Sequence, residues 1–141
     1  MGRILGLDLG DVRIGVAVSD ATRIIASPFT TINVKTQNVI SELKKIVLDY
    51  EIKKIVYGLP ISLDNTKKRQ AEKVRIFIKN LQKSFLEIEF IPFDERYTTT
   101  IAQNALLYAK NKKTKEHKDK IDKVAAAVLL QGYLDFLKIN M

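Results

Sequence analysis

Three carboxylates, far apart in the chain, are of a type and placement that could act together. Asp8 lies within RILGLDLGDVRIGVAVSD (3–20), flanked by Leu7 and Leu9. A carboxylate inside an apolar strand is costly unless something pairs with it. Strand alternation puts Asp8 opposite Leu7 and Leu9, on the face of Gly6 and Gly10, where missing side chains leave room for a metal ion or phosphate. The same alternation also allows a solvent-facing acid. Glu95 follows an apolar run ending at Phe93, and sites in open α/β sheets gather beyond the carboxyl ends of strands. It could equally be a loop acid paired with Arg96, and Asp94 shares that ambiguity. Asp122 is expected in the first turn of the last helix, where acids favour the helix dipole. Yet Ala125, Ala126 and Leu129 follow it on a stripe that would turn its carboxylate toward a sheet.

Three carboxylates at one edge repel one another unless divalent cations lie between them. Oxygen-only ligands suit Mg²⁺ or Mn²⁺. Two such ions about 4 Å apart can activate a water and stabilise the leaving oxygen in phosphodiester cleavage. In this scheme Asp8 bridges the metals, and Glu95 and Asp122 each complete one site. Arg13 and Arg96 are cations close in sequence to Asp8 and Glu95. Lys110, Lys112, Lys113, Lys115, Lys118 and Lys120 stand in KNKKTKEHKDK, just ahead of Asp122. The run could draw in a substrate phosphate, or be only a solvated loop.

The elements that would position these groups follow from periodicity. Ile4 to Leu9 and Val12 to Val18 form a hairpin about Gly10-Asp11, a dipeptide suited to a turn with positive φ. Ile24 to Val34 is a third antiparallel strand, with Pro28 marking an edge or a bulge. Thr36 is expected to cap a helix reaching Tyr50. Lys53 to Tyr57 is a buried strand broken by Gly58-Leu59-Pro60, and Thr66 to Lys83 is a second helix. Leu86 to Phe93 is a strand, and Thr98 or Thr99 caps a third helix. Lys110 to Lys120 is expected to be a loop. The last helix runs from Asp119 to Lys138, with Val124, Ala125, Val128, Leu129 and Leu137 inward. The order βββαβαβαα implies an α/β fold, a mixed five-stranded sheet with flanking helices. No linker or repeat divides it, so residues 1–141 are expected to form a single domain.

Composition narrows the chemistry. The chain has 141 residues, no cysteine and one histidine, His117. Disulfides and cysteine-based zinc sites are excluded, and a Ser-His-Asp triad is disfavoured. No apolar run approaches a membrane span, and the N-terminus enters a strand almost at once, so neither an anchor nor a signal peptide is expected. A cytoplasmic protein is the expectation. The net charge of +8 favours a polyanionic partner, most simply nucleic acid, beside the alternative of a lysine-rich surface kept for solubility.

The segments GLDLGDVRIGVAVSD, VYGLP, DERYTT and IDKVAAAVLLQGYL, in this order and spacing, resemble the YqgF/RuvX family of bacterial RNase H-like nucleases. The resemblance covers nearly the whole chain. It implies an RNase H-like fold and an acidic triad at Asp8, Glu95 and Asp122. It also implies a part in processing the 5′ end of pre-16S rRNA. One departure is visible: the loop after VYGLP often carries a glycine in the family, and here reads Leu63-Asp64-Asn65. The leading expectation is a Mg²⁺- or Mn²⁺-dependent nuclease acting on structured RNA, as a monomer. A Holliday junction endonuclease would use the same chemistry, normally as a dimer. Actin-like kinases share the initial hairpin but need a second lobe. A binding-only RNA or transcription-complex module is the remaining alternative.

Overall fold

The computed structural model describes residues 2–60, 65–94 and 115–139. Along the chain these form β1 (Ile4–Leu9), β2 (Arg13–Ser19), β3 (Ala26–Asn33), α1 (Val39–Asp49), β4 (Lys54–Leu59), α2 (Asn65–Ser84), β5 (Glu89–Asp94) and α3 (Lys115–Ile139). The five strands make one sheet in the order β3-β2-β1-β4-β5. The first three are an antiparallel meander, while β4 lies parallel to both β1 and β5. Crossovers through helices enforce those parallel pairings, because a parallel neighbour cannot be reached by a tight turn. The mixed α/β sheet is the expected one. The helix expected near 98–109 lies outside the described residues.

Alternation in β1 divides the core into two layers. Leu5 and Leu7 point to one face, where they pack with Leu43 and Ile46 of α1 and with Ala71, Val74, Ile78 and Leu81 of α2. Ile4 points to the other face and packs with Ala17, Val56, Phe93 and the α3 residues Ala126, Leu130 and Leu134. Both faces of the central strands are thus covered, which explains why β1, β2 and β4 are apolar on both sides. The edge strand β3 carries Pro28, and the β2–β3 register shifts beside it, between Val16 and Ala17. Proline cannot donate to the ladder, so both expectations for this residue, edge and bulge, hold together.

Several local expectations are corrected. The connection between β1 and β2 uses no left-handed residue. The positive φ values among the described residues belong to Arg23 and Glu51. Gly10 is needed for closeness instead: its N–H donates to the Arg13 carbonyl at 3.0 Å, and a Cβ there would stand 2.7 Å from that oxygen. Helix α1 is capped by Asn38, whose Oδ1 accepts from the Ser41 N–H at 3.0 Å. Thr36 is held in the preceding turn, its own N–H donating to Asn33 Oδ1 at 3.3 Å. Strand β4 continues through Gly58 and Leu59 because β5 pairs with both. Strand β5 starts only at Glu89, whose N–H meets the Lys53 carbonyl, leaving Leu86 exposed in the turn.

The last helix differs most. It begins at Lys115, so the second half of the lysine run is helical rather than loop. Lysine and glutamate are good helix formers whether or not an apolar stripe accompanies them. The inward face is also rotated from the expected one. Ile121, Ala126, Leu129, Leu130, Tyr133 and Leu134 are buried, whereas Val124 is exposed and Ala125, Val128 and Leu137 are half-buried.

Candidate active site

The site is built from the carboxyl edge of β1 and the underside of α3. Asp8, next to last in β1, pairs across the ladder with Gly15 of β2. Alternation from Ile4 through Gly6 puts Asp8 on the face covered by α3, where it is half-buried. Gly6 and Gly15 let the helix approach. A Cβ on Gly6 would stand 2.8 Å from Leu130 Cβ, and one on Gly15 would stand 1.8 Å from the Asp122 carbonyl oxygen. The backbone of α3 therefore rests directly on β2 at Asp122. Paired residues on neighbouring antiparallel strands are about 5 Å apart, so Asp122 is held over the position next to Asp8. Two of the three expected acids are brought together in this way, by a glycine that leaves room for a helix backbone.

Asp122 is about two turns inside α3, counted at 3.6 residues per turn. It is thus not a first-turn acid, and the helix-dipole explanation for it falls away. Its carboxylate has a cation at hand: Arg13 Nε donates to Asp122 Oδ2 at 2.6 Å, with the two side chains 30% and 22% exposed. Arg13 precedes Gly15 by two residues on β2 and so shares its face. Charge-assisted hydrogen bonds this short are among the stronger polar contacts in proteins. The pair links residues 109 apart in sequence, and nothing in local sequence spacing reveals it.

Glu95 and Arg96 lie outside the described residues, as do Lys110, Lys112 and Lys113. The described chain reaches Asp94, the last residue of β5. Because β1, β4 and β5 are parallel, their carboxyl ends share one edge. Two inter-strand spacings put the end of β5 about 10 Å from β1. Asp94 is buried and pairs with Leu59, on the α1–α2 face rather than with Asp8. Lys115 and Lys118 fall in the first turns of α3, and Lys120 is exposed there.

Among the described residues no group of three potential metal ligands stands together. Asp8 and Asp122 supply two oxygen donors, the hard-ligand chemistry that Mg²⁺ or Mn²⁺ takes. The guanidinium against Asp122 marks a position where positive charge is already favoured. The residues present are compatible with a divalent ion in that respect.

An α/β sheet with an antiparallel start, and with an acid at the carboxyl edge of its central strand, is an RNase H-like fold. The same fold is found in solved structures of low sequence identity. Thermus thermophilus RuvC in complex with a Holliday junction substrate matches with a TM-score of 0.56 at 8% identity, over 96% of each chain. The fowlpox virus resolvase, solved with Holliday junction DNA, matches with a TM-score of 0.52 at 12% identity, over 96% of this chain and 98% of that one. At such identities the likeness speaks for the fold. The family described as "RuvX: Holliday junction resolvase" matches residues 2–136, and the chain belongs to it. Relatives named "Putative pre-16S rRNA nuclease" align nearly end to end. The protein from Fusobacterium nucleatum is 46% identical over 98% of this chain and all of its own length. That from Sulfurihydrogenibium is 41% identical over 99% of this chain and 94% of its own.

Proposed function

We propose that the chain is a metal-dependent nuclease that hydrolyses phosphodiester bonds in processing the 5′ end of pre-16S rRNA, acting in the cytoplasm as one domain spanning residues 1–141. The observation carrying this reading is the seating of Asp122 on Gly15 beside Asp8, in a chain so close to relatives bearing that name. Among the described residues no helix is long and apolar enough to cross a membrane.

Asp8, Glu95 and Asp122 are the catalytic acids and the ligands for Mg²⁺ or Mn²⁺. When bound, the metal would supply an activated water and stabilise the leaving oxygen. The chain's own residues do the rest. Asp8 is held by the sheet ladder, so its position depends on strand register rather than on a loop. Asp122 is held by the contact of helix backbone with Gly15. Arg13 neutralises Asp122 and, on the same face, is placed to meet a phosphate oxygen. Arg96 and the lysines at 110, 112, 113, 115, 118 and 120 attract the RNA backbone toward this edge.

A labelled pre-16S precursor fragment and a four-way DNA junction, each incubated with Mg²⁺, Mn²⁺ or EDTA, test the reading. Wild type should cut the RNA only with metal. Asp8→Asn should abolish cleavage while keeping the fold and RNA binding. Retained cleavage by that variant would sink the assignment of Asp8. The second reading is a junction endonuclease, favoured by the family's own description. Cleavage of the junction alone, by a dimer, would establish it in place of the first; a monomer that cuts RNA would remove it.

A further inference from the structure

The charge excess of this chain is concentrated on one helix away from the acidic pair. α2 carries Lys67, Lys68, Arg69, Lys73, Arg75, Lys79 and Lys83 against the single acid Glu72. That surplus of six compares with +8 for the whole chain. All seven cations are exposed. By contrast, α1 balances Lys44 and Lys45 against Glu42 and Asp49.

Helical periodicity arranges the charge. Ala71, Val74, Ile78 and Leu81 are buried on the inner face. Lys68, Arg75, Lys79 and Lys83 recur at helical spacing along one flank of that buried stripe, with Glu72 among them. At 1.5 Å per residue this ridge is about 22 Å long, enough to follow several successive phosphates of a duplex strand. Lys73 lies on the other flank, 3.8 Å from Asp11 in the β1–β2 connection. A dent of about 200 Å³, lined by Gly10, Asp11, Gln70, Lys73 and Phe77 among others, lies beside that connection on the opposite flank of α2 from the ridge.

Direction is as informative as charge. β4 ends at Leu59 on the carboxyl edge, and α2 starts soon after, so its first turns are beside the edge that bears Asp8. The helix then runs back across the face opposite α3. The geometry points to α2 as a backbone-binding ridge for a double-stranded arm of the RNA substrate. The arm leaves the carboxyl edge beside the first turns of α2 and lies along Lys68, Arg75, Lys79 and Lys83. This inference rests on the nuclease reading for the substrate class, but its test does not depend on cleavage.

The test measures fluorescence anisotropy of a labelled RNA hairpin binding to the full chain in EDTA, across a series of KCl concentrations. Lys68→Gln, Arg75→Gln, Lys79→Gln and Lys83→Gln are combined in one variant. Each phosphate contact contributes roughly 0.7–0.9 to the slope of log K against log salt. The combined variant should lower that slope by about 3. Lys44→Gln with Lys45→Gln on α1 should leave it unchanged. A variant carrying Lys68→Arg, Lys79→Arg and Lys83→Arg keeps the charge and should keep the slope, which guards against misfolding of the glutamine variant. An unchanged slope in the glutamine variant overturns the ridge and leaves its charge to solubility or to an acidic protein. If the precursor is cut normally but the slope does not fall, the ridge fails and the nuclease stands. If the slope falls but no metal-dependent cleavage occurs, the reverse holds.

Discussion

Gly15→Ala tests the contact on which the acidic pair depends. The added Cβ would be 1.8 Å from the Asp122 carbonyl oxygen, and real Cβ atoms do not approach closer than 3.0 Å, so the helix must retreat by about 1.2 Å. The obstacle is backbone on both sides, so no rotamer change relieves it. Overpacking of this kind costs roughly 1–3 kcal/mol of stability. The larger effect should be on activity. A displacement near 1 Å at a catalytic group costs about 10²-fold in rate, equivalent to about 2.7 kcal/mol of transition-state stabilisation. Gly6→Ala is the matched control. Its Cβ would meet Leu130 Cβ at 2.8 Å and the Ala126 carbonyl at 3.2 Å, farther along α3 from Asp122. It should cost stability while leaving turnover far closer to wild type. Urea unfolding gives the stability of each variant, and single-turnover cleavage of the rRNA precursor gives the rate. Wild-type turnover and metal dependence in a folded Gly15→Ala variant would refute the claim that this contact sets the site.

Two further outcomes follow from charges seen in the structure. Arg13→Gln removes the cation at Asp122 Oδ2, so a divalent ion should no longer compete with it. If metal binds tenfold more tightly as a result, Mn²⁺ should raise the melting temperature of the variant by roughly 3–6 °C more than that of wild type; equal shifts would refute the competition. Asp20 follows β2 at the opposite edge, its Oδ2 accepting from the Thr22 hydroxyl and its Oδ1 from the Ile24 and Ile25 N–H groups at 2.7 and 2.9 Å. The Thr22 hydroxyl, followed by the Ile25 N–H, holds its carboxyl well below the usual carboxylate range. A depressed folded pKa contributes stability above the unfolded value of 3.8, and this is lost as pH falls through the folded value. The stability gap between wild type and Asp20→Asn should therefore be constant near neutrality and narrow in acid, as read by urea midpoints; a gap independent of pH would refute it.

The strands were legible because their signals are local and agree. Alternation in β1 and β2, the apolar run of β4 and Pro28 in β3 each have one reading compatible with an α/β sheet. The ends were harder. Thr36 and Asn38 are both capping residues, and the choice between them was made by the Asn33-centred turn, which draws on contacts outside the helix. The start of the last helix is hidden in the sequence because no apolar stripe accompanies its first turns. Its first turns carry lysine and glutamate before the first described buried residue, Ile121. Its inner face was misjudged because Ala125, Ala126 and Ala127 make a nearly uniform apolar surface, in which small residues do not show which side carries the contact.

The acids were legible as candidates for one edge, but the contact that seats Asp122 beside Asp8 was not. Gly6 and Gly15 leave room for another backbone, but nothing in their spacing shows that the backbone is α3 and the residue Asp122. That fact depends on the order of strands: β2 must lie beside β1, and α3 must return across both. Once it does, Arg13 is fixed as well, because residues 13 and 15 of one strand share a face and the helix resting on the second brings its carboxylate to the first. The same geometry bears on how the site stays intact without metal. Two carboxylates beside each other in a partly buried site would repel, and Arg13 provides a cation that stays with the protein. A divalent ion entering at Asp122 must take over that role, and the released guanidinium would then be free to meet substrate phosphate on the same face. Arg13→Lys would keep a positive charge but lose the planar fork, so it should bind metal more like wild type than Arg13→Gln does, while weakening RNA contact.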